Sequence, residues 1–138
     1  EIVLDFNELI SEPETLSAVP KPPNAPATAC KRAVSQNGKY QPWACNQYVN
    51  WCYFNTINKG GLAQDYRSWP KVSGWGKTGT VISGISTAGY NHVGIICGGL
   101  LCHEPNYNHQ SITCKAINQI LKYFFRSYSL HYPPGYKL

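Results

Sequence analysis

Acidic side chains are scarce in this sequence, and nearly all of them stand at one end. Glu1, Asp5, Glu8, Glu12 and Glu14 are five of the seven carboxylates, and beyond them only Asp65 and Glu104 remain. Every Lys and Arg lies after Glu14, so twelve cations against two carboxylates leave the body at a formal +10. A body of that charge has affinity for polyanions: a bacterial wall, nucleic acid or an anionic membrane surface. The scarcity also restricts mechanism, because a catalytic carboxylate in the body must be Asp65 or Glu104. Long apolar runs are missing too. None approaches the roughly twenty residues of a membrane-crossing helix, and no basic start followed by an apolar stretch marks a leader. No internal repeat is present. No C-x-x-C pair accompanies Cys97, Cys102 and His103, which sets a zinc site aside and leaves no metal or cofactor expected.

What the chain has is six cysteines and ten tyrosines at only 14% charged residues. That composition suits a secreted, processed chain in an oxidising compartment, and 138 residues suit one domain able to bury a core. Residues 1–28 read as an acidic arm on a Pro-rich linker (Pro20, Pro22, Pro23, Pro26), in the manner of a pro-segment. Residues 29–138 read as the globular body. A short helix is expected within Cys30 to Tyr40, ending at Asn37-Gly38, and a second from Cys45 to about Asn58, with helical turns over Leu62 to Trp69. Strands are expected at Thr78–Ser83, His92–Cys97, Leu100–Glu104, Ile112–Ala116 and Leu121–Leu130. Helices first and an antiparallel sheet after them make the class α+β.

The stretch Trp43-Ala44-Cys45-Asn46-Gln47-Tyr48-Val49-Asn50-Trp51-Cys52 carries the candidate chemistry. Residues 45, 48, 49 and 52 share one helical face. Cys45 stands in the first turn, where unpaired N–H groups and the helix dipole favour a thiolate. A thiol nucleophile also needs an imidazole and a group that orients it. His92 opens a strand in which Gly94 and Ile96 share its face, and His103, Glu104 and Asn106 follow on the next. The register decides among them. A two-residue Gly98-Gly99 turn puts His103 on the face of His92, whereas a three-residue loop sets Asn106 opposite His92 with Glu104 diagonal to it. Both stay open. His109 and His131 read as surface residues, and Cys52 as a structural thiol. Bridges Cys97–Cys102 and Cys102–Cys114 are both sterically reasonable from spacing.

The cysteine at the head of an aromatic helix, then Gly79-Thr80-Val81-Ile82, Asn91-His92-Val93-Gly94-Ile95 and Glu104-Pro105-Asn106-Tyr107-Asn108, resembles the CHAP family of cysteine amidases and peptidases and the related NlpC/P60 family. The resemblance covers about residues 40 to 130. It implies a papain-like fold with N-terminal helices on an antiparallel sheet, and cleavage of amide bonds in peptidoglycan peptides by a secreted monomer. It also implies Cys45 as nucleophile, His92 as base, and Glu104 and Asn106 as orienting groups. In the NlpC/P60 pattern the third position falls to His103. Ala44 stands where the family has Gln, so the second oxyanion donor must come from elsewhere, with Gln41 and Tyr40 as candidates. Two other classes fit the composition: a basic disulfide-containing toxin or ribonuclease using His92 and Glu104, and a non-catalytic wall-binding module.

Overall fold

In the computed structural model, residues 15–105 and 111–138 are described. Pro26 starts helix α1 (Pro26–Ser35), its fixed φ being suited to a first helical turn. Helix α2 (Cys45–Phe54) ends at Asn55, which takes up the left-handed conformation with φ 66°. A 3-10 turn (Gln64–Ser68) leads to strand β1 (Lys71–Val72). Strands β2 (Val81–Ser86), β3 (Asn91–Cys97), β4 (Leu100–His103) and β5 (Thr113–Ala116) follow. Helix α3 (Ile117–Phe124) then runs directly into strand β6 (Phe125–His131). The strands form one antiparallel sheet in the order β1-β6-β2-β3-β4-β5.

Alternation along the strands divides the interior into two layers. Val81, Val93, Ile95, Cys97, Cys102 and Cys114 pack with α1 and α2. Ile82, Ile96, Leu101 and Leu130 face the other way, onto Ile117, Ile120, Leu121 and Phe124 of α3. The helical layer is pinned by directed bonds: Tyr48 Oη donates to Ala33 O at 2.8 Å, Tyr53 Oη donates to Gly79 O, and a disulfide joins Cys30 of α1 to Cys97 of β3. A second disulfide, Cys102–Cys114, links directly opposed residues of β4 and β5.

The α+β class and the order of helices and sheet agree with the sequence reading. Several details differ. Helix α1 begins four residues before Cys30 and ends at Ser35, β1 was not anticipated, and Cys97 bridges to Cys30 and not to Cys102. The strand expected from Leu121 begins only at Phe125, and residues 117–124 are a helix, because Ile117, Ile120, Leu121 and Phe124 lie at 3.6-residue spacing and cover one face of the sheet. Helix α2 stops four residues before Asn58. The described part of the Pro-rich segment is docked on the body instead of tethering it. Val19 is buried, Trp69 Nε1 donates to its carbonyl at 2.8 Å, and Asn24 donates to the carbonyls of Tyr53 and Cys52. His131 is interior: Nδ1–H donates to Trp69 O and Nε2 accepts from Ser129 Oγ. The acidic arm over residues 1–14, Asn106 and His109 lie outside the described residues.

Candidate functional site

The chain turns from β3 to β4 through Gly98 and Gly99, both with positive φ (58° and 82°), a two-residue hairpin that glycine makes without strain. Cys97 therefore pairs with Leu100 and Ile95 with Cys102, and His103 falls on the face of His92. The two imidazoles meet, His92 Nε2 lying 2.8 Å from His103 Nδ1. Both are buried, His92 at 1% and His103 at 0% exposure, with Phe125 against the first ring and Phe124 against the second. Gly94 makes this approach possible: a methyl there would meet Leu101 Cδ1 at 2.8 Å and the Cys102 carbonyl at 3.0 Å.

Burial sets the protonation of the pair. Desolvation disfavours an imidazolium, holding His92 down to about 4 and His103, which also feels His92, to about 3. Both rings are neutral at pH 7, and one proton lies between them. If His92 Nε2 carries it, His103 Nδ1 accepts and His92 Nδ1 is left as a free acceptor. His92 Nδ1 is buried and has no hydrogen-bond partner among the described residues.

Cys45 is a free thiol at the first residue of α2. Gln47 closes this helix end by accepting the Ala44 N–H at 2.8 Å, and Asn46 Nδ2 fixes it laterally by donating to Gly61 O at 3.0 Å. Burial pushes the thiol upward, against three backbone N–H groups that favour the thiolate: those of Val93, Asn46 and Cys45 itself. The helix-terminus effect expected from the sequence therefore acts in the expected sense but is outweighed, and the resting sulfur is a protonated thiol. Val93 is the residue after His92, but the two side chains take opposite faces of β3: the sulfur lies in the α2 layer, whereas the His92 ring packs on Phe125 in the α3 layer. No Cys45–His92 hydrogen bond is formed in this state.

Glu104 takes a place apart from the histidines. As the neighbour of His103 it points to the opposite side of β4, where its charge is felt by Tyr48 and Cys45 of α2. It is wholly buried, neither carboxylate oxygen has a partner among the described residues, and burial raises it to about 7. The second body carboxylate, Asp65, instead accepts from the N–H groups of Ser17 and Leu62. Among the oxyanion candidates, Gln41 donates its amide to Gln36 Oε1 at 2.8 Å, and Tyr40 is 63% exposed. The sequence reading missed Gln47, Asn46 and the Val93 N–H. A Gln three residues past the helix start was a legible signal for the first, while the other two depend on tertiary contacts.

Cys45 and Cys52 are the free thiols and the other four cysteines are bridged, an arrangement compatible with an extracellular protein. Among the described residues no helix is long and apolar enough to cross a membrane. Comparison of the chain with protein-family models and with curated proteins returned no match to either.

Proposed function

We propose that this protein is a secreted cysteine hydrolase that cleaves amide bonds in peptidoglycan peptides on a papain-like scaffold of the NlpC/P60 and CHAP kind. Cys45 is the nucleophile, His92 the base and His103 the positioning residue. The observation that supports this most is the free Cys45 thiol at the first residue of α2, its sulfur met by the N–H groups of Cys45, Asn46 and, from the strand that carries His92, Val93.

Because thiol and imidazole are both neutral at rest, the reaction begins with general-base transfer and not from an ion pair. The His92 ring must turn from the α3 side of β3 to reach the thiol, and its Nδ1 then takes the Cys45 proton as sulfur attacks the amide carbon. The tetrahedral oxyanion is met by backbone N–H groups clustered at the sulfur, with Val93 N–H added to that of Cys45. Return of the proton to the amine expels it and leaves a thioester. Water, deprotonated by His92, attacks the thioester carbonyl and releases the acid and the thiol.

Cys45→Ala should abolish lysis of purified bacterial walls while leaving the unfolding midpoint within the range of a surface substitution. His103→Ala should lower turnover by about 10²-fold or more through loss of imidazole orientation. Wall lysis undiminished in Cys45→Ala overturns the proposal.

A further inference from the structure

On the α3 face of the sheet, away from the α2 layer, is a groove of about 420 Å³ that the Cys45 chemistry does not use. Trp75, Gly99, Ile117, Asn118, Leu121 and Tyr128 line it. The Trp75 and Tyr128 rings have centroids 5.3 Å apart and are tilted by 54°. Trp75, Ile117, Leu121 and Tyr128 pack on the second core layer, so the walls are fixed by the fold.

Three features identify the chemistry of an occupant. First, the Trp75 and Tyr128 rings pack on each other, so an occupant lies over the outer face of the indole, where the axial C–H groups of a pyranose chair make contact. Second, Trp75 Nε1, the Asn118 amide and Tyr128 Oη make no hydrogen bond to another described residue, so donors and an acceptor suited to hydroxyls surround an apolar floor. Ile117 and Leu121 add aliphatic surface of the kind an acetamido methyl covers. Third, the rim is cationic. Lys77 and Lys122, both exposed, lie two residues and one residue from groove walls, and Lys115 is exposed on β5 opposite Leu101. The acidic side chains among the described residues, Asp65 and Glu104, are both buried, so no described carboxylate on that surface offsets the lysines.

We propose that this groove is a binding site for an N-acetylated acidic polysaccharide, one sugar ring seated on Trp75 and its carboxylates on the lysine rim. This goes beyond the hydrolase reading and does not depend on it.

The test is titration of the full chain, bearing Cys45→Ala to prevent turnover, with a hyaluronan hexasaccharide, which alternates N-acetylglucosamine and glucuronate. Intrinsic fluorescence and calorimetry provide the readouts. Binding should perturb Trp75 emission and weaken with salt. Trp75→Ala and Asn118→Ala should each weaken it about tenfold, and Trp75→Phe much less. Neutral chitohexaose should bind more weakly at low salt yet retain the dependence on Trp75. No measurable hyaluronan binding, or binding that Trp75→Ala leaves unchanged, overturns the site. Binding of a uridine hexanucleotide with the same loss in Trp75→Ala also overturns the assignment, giving the groove to single-stranded nucleic acid. Because Cys45→Ala is the background throughout, the outcome is separate from that of the hydrolase proposal.

Discussion

The two faces of the sheet are built by different means. On the α1–α2 face the helical layer is held by directed bonds: a disulfide to β3, tyrosine hydroxyls onto backbone carbonyls, and a docked N-terminal strap. On the α3 face cohesion is largely contact packing, with Phe124 and Phe125 against the histidine pair and Trp75 against Tyr128. The difference follows from connectivity. Helices α1 and α2 are separated from the sheet by long stretches of chain and must be recruited to it. Helix α3 is continuous with β6, adjoins β5, and has nowhere else to go.

That contrast predicts unequal responses to perturbation, the largest at the cross-link. Replacing Cys30 and Cys97 together by Ala releases a loop of 67 residues and should cost about 4 kcal/mol, against about 3 for the 12-residue Cys102–Cys114 loop. Urea unfolding of the two double variants measures both, and a smaller loss for the longer loop would break the comparison.

Next in size is a change in packing on the α3 face. Gly84 of β2 lies against β6 so closely that a methyl would stand 2.0 Å from Ser127 O and 2.6 Å from Tyr128 Cα. Gly84→Ala must push backbone and not a side-chain tip, and should cost about 2–3 kcal/mol. It should also reduce near-UV ellipticity from the Trp75–Tyr128 pair. An unchanged spectrum would mean that the two strands have room to separate.

The most informative effect is that of pH, because the two faces respond in opposite senses. His92 and His103 have folded pKa values below the ordinary 6.5, so the unfolded chain binds more protons in that range. Their contribution is complete above about 6.5 and is lost as pH falls toward 4 and 3. Glu104 has a folded pKa raised from 4.5 to about 7. Its contribution is complete below 4.5 and is lost as pH rises through 7. Glu104→Gln should therefore remove the decline between about 4.5 and 7, leaving the acid decline of the histidines in place and moving the stability optimum upward. Unfolding free energies from pH 4 to 9 would show this, and an unshifted optimum would count against a buried carboxyl at this position.

How legible these features were depended on how local their causes are. The hairpin glycines carried the His92–His103 pairing to within one choice of turn length, and the residues themselves contained the positive-φ solution. Apolar spacing located α2, and a cysteine count with Cys45 reserved left room for two bridges and one other thiol. The passage from α3 to β6 was hidden because Phe124-Phe125 joins helix to strand with no Gly, Pro or polar break. His131 was misplaced because its burial rests on one serine hydroxyl and one carbonyl 62 residues away. The prolines of the strap signalled irregular backbone correctly, but irregular is not the same as loose, and Val19 and Asn24 supply the adhesion. The face taken by Glu104 depended on the turn length that sequence left open.

The strap has a mechanical consequence. Tyr136 Oη donates to Pro22 O at 2.7 Å, and Lys21 lies over the Tyr136 ring, so positions 114 residues apart form a clasp. Tension applied to the body near residue 20 and near residue 138 would load that clasp and the Trp69–Val19 bond before it reached any strand pair. Force transmitted between these two points would be absorbed in a short sacrificial element, and the sheet that carries the histidines would stay unstretched until the clasp had opened.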